Sequence, residues 1–314
     1  MSKVTLPVLL VLLSVSCVSS RMIANNMPPV ISDMERAFYA ESSPRNAQAS
    51  APALLMMLDG FLVSSPENET LLVKAASMNC GYAFSFLETT DRPWAAAVYA
   101  KGLGYAIRAV ALQDPVLAKA IRDRDDATIE RRLAKAPRDL SEPVFWSGLC
   151  MGGRVGATLK TEDLPDIGTV QILLARAMKW DESYFFASGH LFYGILFAGR
   201  TASLGGEPAK GLQHFDRHLE LTHHRFLLGK VLKARNYAVS VQDPALFTSL
   251  LQEVLATNPA DDGDGYRLIN AVARERALLL LEERPRLFPG LATAADPLES
   301  EDDEGVSADE DLDL

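Results

Sequence analysis

All five histidines lie between residues 190 and 224, so any imidazole chemistry in this chain has to be done there. His214 and His218 stand four apart, which puts both on one face of a helix, with His190, His223 or His224 able to complete a metal shell. Against that, the segment has no His-Glu-x-x-His pattern, and His218 falls where a helix packs on its neighbour. The reading is therefore no metal. The glycine-rich stretch Gly152-Gly153-Arg154-Val155-Gly156 follows an apolar helical pattern instead of a strand. It lacks the phosphate-loop Lys-Ser/Thr and the dinucleotide spacing, which leaves close helix packing as its role. No serine sits in a Gly-x-Ser-x-Gly elbow, and Asn68-Glu69-Thr70 is only a nominal sequon. With no catalytic constellation and no cofactor signature, the chain does not read as an enzyme.

The cysteines carry a different chemistry. Met1-Ser2-Lys3 gives a positive start, Leu6 to Leu13 is an apolar run broken by Pro7, and Ser14-Val15-Ser16 puts small residues before Cys17. The run is too short to span a bilayer, which needs about 20 apolar residues. Residues 1–16 read as a secretory signal, and Cys17 resembles the lipidated cysteine of a lipoprotein signal, with Ser14 where a leucine is usual. No aspartate follows Cys17, which points to the outer membrane and a periplasm-facing, lipid-anchored protein. Residues 17–45, with the polar, proline-bearing Asn25 to Pro29, read as a lipidated tether. Cys80 and Cys150 are left. The compartment permits a bridge between them, but their apolar helical settings favour two buried thiols.

Charge is concentrated at one end. The net charge is −10, yet residues 296–314 hold ten acidic side chains and no Lys or Arg. The rest of the chain then balances at 31 acidic against 31 basic residues. A neutral body argues against nucleic acid as a partner. Residues 291–314 read as a disordered acidic tail.

The elements that must position any site are helices. Apolar residues recur at three- and four-residue steps, and no segment alternates as a strand would. The expected helices are 47–63, 69–88, 93–112, 127–135, 141–158, 167–179, 184–203, 208–221, 227–241, 243–257 and 263–282. Breakers such as Ser65-Pro66, Asp114-Pro115, Gly205-Gly206 and Asp243-Pro244 separate them into hairpins. Small residues recur at tetratricopeptide offsets, a repeat of about 34 residues. Ala83 and Ala95 stand twelve apart with Tyr99 and Gly102 following, and Gly199 and Gly211 do likewise with Phe215 and His218. Arg235 and Phe247 stand at the small positions of a third unit, and Val170 and Ala177 keep half the pattern. The expected fold is all-α, a tetratricopeptide-like helical-hairpin solenoid over residues 46–290.

In that architecture the first helix of each pair lines the inner surface. The positions predicted to face inward are Ser77, Cys80, Phe84, Leu87 and Glu88, then Tyr193, Leu196, Arg200 and Ser203, then Leu232, Asn236 and Val239. Phe84, Tyr193, Leu196, Arg200 and Asn236 are the candidate ligand-binding residues: a mainly apolar lining with a few polar groups. Arg200 suits a carboxylate, held in two parallel hydrogen bonds, with an ion pair to Glu207 or a solvated helix face as the structural alternatives. Trp146 and Trp180 read as core anchors.

Several stretches resemble the TatT family, the tetratricopeptide-like T component of TRAP (tripartite ATP-independent periplasmic) transporters. They are Asn79-Cys80-Gly81-Tyr82-Ala83-Phe84-Ser85-Phe86-Leu87-Glu88, Ala97-Val98-Tyr99-Ala100-Lys101-Gly102, and Phe145-Trp146-Ser147-Gly148. Gly205-Gly206-Glu207-Pro208 with His214-Phe215, and Tyr237-Ala238-Val239 with Leu250-Leu251-Gln252-Glu253-Val254-Leu255, continue the likeness over roughly residues 50–282. The resemblance implies a non-enzymatic envelope protein that docks the TRAP solute-binding (P) subunit. It also implies an internal site or passage for a small organic or apolar ligand, and a homo-oligomer such as a trimer. The alternative is an envelope scaffold lipoprotein that holds other proteins without handling solute.

Overall fold

Asp91, Asp114 and Asp243 each cap a helix whose first turn carries a proline. Their carboxylates accept the amides of Trp94, Leu117 and Leu246 at 3.0, 2.9 and 2.9 Å. The cap satisfies an orphan amide, while proline has none to leave unpaired, so one Asp-Pro signal ends one helix and starts the next. Asn68 caps in the same way through the Leu71 amide at 3.0 Å.

The computed structural model describes residues 19–258, 263 and 265–289; Cys17 with its signal segment and the acidic tail lie outside the described residues. The described chain is helical and contains no strand. The helices are α1 (Ser20–Asn25), α2 (Pro28–Tyr39), α3 (Pro44–Ser64), α4 (Glu69–Tyr82), α5 (Arg92–Gln113), α6 (Pro115–Asp123), α7 (Asp126–Leu133) and α8 (Ser141–Thr158). They continue as α9 (Asp166–Trp180), α10 (Tyr184–Ala198), α11 (Pro208–Leu221), α12 (Leu227–Lys233), α13 (Pro244–Ala256), α14 (Arg267–Glu282) and α15 (Arg284–Leu287).

Successive helices pair as hairpins and stack sideways: α4 on α5, α5 on α8, α8 on α9, α10 on α11, α12 and α13 on α14. This is the all-α solenoid expected from the periodicity. Small residues fall at the tight crossings. Gly211 lies against Ala198 and the Gly194 carbonyl, and Gly102 lies against the backbone of Ala76 and the sulfur of Cys80. Gly152 and Gly153 face the rings of Phe192 and Tyr99, so the glycine-rich stretch is a packing surface. Between α10 and α11 the chain reverses at Gly205, whose φ is +78°, and at Gly206, where a Cβ would strike the Arg200 carbonyl.

Three expectations are corrected. Residues 20–39, read as tether, form α1 and α2. Ala24 and Ile31 are buried, Lys74 on α4 pairs with Glu35, and Ser65 donates to Asn25 at 2.5 Å. The prolines of Pro28-Pro29 sit in the first turn of α2, where they start a helix instead of preventing one. Second, α6 occupies residues between two expected helices, begun by Pro115 after the Asp114 cap. Third, Cys80 and Cys150 form a disulfide. Helices α4 and α8 pack directly, and the Cα atoms stand 5.6 Å apart, within bridging range.

The solenoid also closes on itself. Helix α14, at the far end of the chain, packs against α2 and α3. Arg267 donates to the Ala40 carbonyl at 3.3 Å, and Arg276 donates to the carbonyl of Phe84. A partly open cavity lies inside this ring, lined from Phe38 and Tyr39 through α8 and α10 to Leu268 and Ile269.

Candidate functional site

The inner helices depart from α geometry where they meet the cavity. Helix α4 continues into a π turn, Ala83–Leu87, and α12 into another, Ala234–Ala238. Ala83 and Arg235 are the residues that the repeat offsets placed at equivalent positions, so the two widened turns recur within one residue of the same place in the repeat. A π turn leaves carbonyls without their usual partner. In the first, Arg276 takes the carbonyls of Phe84 and Ser85, the latter at 3.3 Å. The third departure is at the start of α10. Phe185, Phe186 and Ala187 have φ of 46°, 57° and 52°, a left-handed turn that costs about 1–2 kcal/mol per residue. It is held by an aromatic chain. Phe185 packs edge-on against Trp146 at 4.5 Å, and Phe186 meets Tyr39 at 5.8 Å and Phe226 at 5.2 Å.

These three irregular turns surround one cavity of about 680 Å³. Its wall includes Phe84, Leu191, Phe192, Ile195, Leu196 and Phe226, with Ser77, Glu88, Arg200, Arg235 and Asn236 among the polar groups. The volume falls in the range of small-molecule sites, about 300–1,000 Å³.

Of the sequence candidates, Phe84, Leu196, Arg200 and Asn236 line this cavity together, as do Ser77, Cys80, Glu88 and Leu232. Tyr193 does not. Its hydroxyl donates to the Gln171 carbonyl at 2.8 Å, and its ring stacks on His214 at 5.0 Å. The cavity-facing stripe of α10 runs Ser188, Phe192, Ile195, Gly199. One residue turns a side chain by about 100°, so Tyr193 points to the neighbouring helices instead. Leu87 and Val239 lie outside the lining, and Ser203 is exposed in the turn after α10. Sequence reasoning missed Tyr39, Phe185, Phe186 and Arg235. The Phe185-Phe186 pair was a visible aromatic signal, but nothing in phenylalanine favours positive φ.

The polar groups are differently committed. Glu88 accepts a hydrogen bond from the Tyr99 hydroxyl. Burial pushes its carboxyl above the ordinary range, opposed by that bond and by Arg276 and Arg92. Burial pulls the Arg276 guanidinium down, opposed by Glu88 and Tyr99. Arg92 donates to the carbonyls of Gly156 at 2.5 Å and Ala157 at 3.4 Å. Asn236 donates to the Leu232 carbonyl at 2.9 Å. Arg200 is partly buried, its guanidinium lowered by desolvation, and has no hydrogen bond or ion pair among the described residues. Glu207, its alternative partner from sequence, pairs with Lys210 at 3.7 Å.

The histidines divide. His190 and His214 meet through their Nδ1 atoms at 3.0 Å, and His190 Nε2 lies 3.3 Å from Glu182. His218 is fully buried elsewhere, its Nδ1 3.4 Å from the Ala187 carbonyl under the left-handed turn. His214 and His218 are thus not brought to one ion, and no group of three or more metal-type ligands occurs among the described residues. Trp146 is buried, donates to the Tyr184 hydroxyl at 3.1 Å, and also reaches the cavity wall. Trp180 stacks under Arg176 at 4.4 Å.

A helical solenoid closed around a ligand-sized, mainly apolar cavity has the architecture of a binding or accessory protein. The chain belongs to the TRAP transporter T-component family (TAtT), whose family model matches residues 40–288. It is accordingly an accessory component of TRAP transport, a system of the cell envelope. No match to a curated protein sequence was found.

Proposed function

We propose that this chain is a lipid-anchored, periplasm-facing accessory that docks the solute-binding (P) subunit of a TRAP transporter and takes a small organic ligand into its cavity. Phe84, Leu196, Arg200 and Asn236 contact that ligand. Tyr193 supports the wall from behind. The anchor is Cys17, with the outer membrane as its site and a homo-oligomer, such as a trimer, as its assembly.

The observation that carries the ligand part is the mainly apolar cavity, with the partly buried Arg200 in its wall and no acceptor for that guanidinium among the described residues. An apolar wall supplies affinity through burial, and a few placed polar groups supply orientation. Family membership carries the transport part. An anchor two residues ahead of the first described residue would hold the body close to a surface, which raises its encounter rate with a membrane transporter.

Co-purification tests the docking. The tagged protein, recovered from cells after mild crosslinking, is expected to bring down a TRAP solute-binding subunit. Repeated recovery without that subunit would leave the scaffold reading in its place. Mass spectrometry of the mature N-terminus tests the anchor: a diacyl or triacyl mass on Cys17 is expected, and an unmodified cysteine contradicts it.

A further inference from the structure

The cavity has two unlike ends, and the register of its helices fixes which residues stand at each. Helices α8 and α10 run side by side. Trp146 meets Phe185 with ring centroids 4.5 Å apart, and six or seven residues further on Gly152 faces Phe192. Equal advance in the same direction means parallel helices, so Lys160 and Arg200 follow at the same end. Arg92 binds the carbonyls of Gly156 and Ala157 and therefore belongs to this end too. The Asn236 side chain lies where a Cβ on Gly199 would stand 3.0 Å from its oxygen, which brings the second π turn to the same place. The opposite end is the left-handed turn, closed by Phe186 against Tyr39 and Phe226. Between Phe186 and Arg200, a rise of about 20 Å along α10, that helix presents no charged side chain to the cavity.

The charges at the polar end are not equivalent. Arg92 is committed to backbone carbonyls and Lys160 to Glu162 at 3.4 Å. Arg235, beside Asn236, also lines this end without an acceptor among the described residues, but it is exposed and its charge is hydrated. Arg200 likewise has no such partner among the described residues, yet it is partly buried. A desolvated cation without an acceptor is costly, and a ligand anion removes that cost while forming paired, charge-assisted hydrogen bonds. A single carboxyl, Glu88, also faces the cavity, tied to Tyr99. It disfavours a second negative group on the ligand.

We infer that the ligand is a single-headed anionic amphiphile, a monocarboxylate with a long apolar body. Its head binds Arg200, and its tail runs along Leu196 and Phe192 to the Phe185–Phe186 turn. This rests on the reading of the cavity as a ligand site, and the test separates the two.

The full mature protein is titrated by calorimetry with laurate, lauryl alcohol and dodecyltrimethylammonium, three heads on one chain, and with succinate as a compact dicarboxylate. Laurate is expected to bind at least about tenfold tighter than the alcohol, the usual scale of a charge-assisted pair, with the cation and succinate weakest. Arg200→Gln is expected to erase the preference for laurate while leaving the alcohol unchanged, and Arg200→Lys to keep part of it. Leu196→Trp, which narrows the slot midway, is expected to weaken laurate and the alcohol together. Equal affinity for laurate and alcohol, or an equal loss of both in Arg200→Gln, overturns the anionic head but leaves the cavity as a ligand site. Succinate binding as tightly as laurate overturns the amphiphile. Absence of binding by every probe overturns the cavity reading itself.

Discussion

His218 shows how a single side chain reports on the packing around the cavity. It is fully buried, its Nε2 has no hydrogen-bond partner among the described residues, and burial lowers its pKa from 6.5 to about 4. His214 is lowered to about 4 as well, by desolvation and then by His190 and Lys210. A histidine held neutral in the fold is protonated first in the unfolded chain, so acid favours unfolding. The stability it contributes is complete above pH 6.5 and is lost as the pH falls towards about 4. The denaturation midpoint of the wild type is expected to drop across this window, with a shallower slope in His218→Gln; equal slopes would contradict the assignment. Cys80 gives a second prediction at this scale. Its bridge to Cys150 closes a separation of 70 residues, for which chain entropy suggests about 4 kcal/mol. Cys80→Ser, or reduction of the wild type, is expected to lower unfolding stability by an amount of that order in urea titrations. No change on reduction would mean that the two thiols are free in the isolated protein.

Elements are held to one another by a few long-range groups, and Arg276 is the clearest. From α14 it reaches the carbonyls that the first π turn leaves open, covers the Phe84 ring at 5.2 Å, and faces Glu88. Arg276→Met should cost about 3 kcal/mol, the scale for removing one partner of a buried charged group. Adding Glu88→Gln should recover part of that loss, since no unpaired carboxylate remains. Thermal or urea unfolding of the single and double variants checks this, and additive losses would contradict the coupling.

Much of this scale was legible in the sequence. Helix α8 spans Ser141–Thr158 and α11 spans Pro208–Leu221, both as read from periodicity, because Asp-Pro, Ser-Pro and Gly-Gly punctuation is local chemistry. The first π turn and the left-handed turn were not legible, since each meets a partner distant in sequence: Arg276 for one, Trp146 and Phe226 for the other. The same reason hid the disulfide, whose geometry needs α4 beside α8. Residues 20–39 were read as tether because Asn25 to Pro29 look like a linker; burial of Ala24 and Ile31 and the contacts of Asn25 and Glu35 with later helices distinguish them. Of the five candidate residues, Phe84, Leu196, Arg200 and Asn236 line one cavity, and Tyr193 lies a single step of helix phase away from it.

At the scale of the whole molecule, closure of the solenoid is the feature on which the proposed ligand role rests. An open solenoid would offer a concave face for protein partners, whereas return of α14 to α2 and α3 makes an interior large enough for a solute. That interior is what the proposed ligand role rests on, while membership of the TRAP T-component family supports the accessory role in transport. The most direct test of this account uses two purified proteins: the mature chain and a TRAP solute-binding subunit of the same organism, titrated by calorimetry. The account predicts a saturable complex with a fixed ratio of subunits. Absence of any complex at the highest soluble concentration of either protein would contradict it.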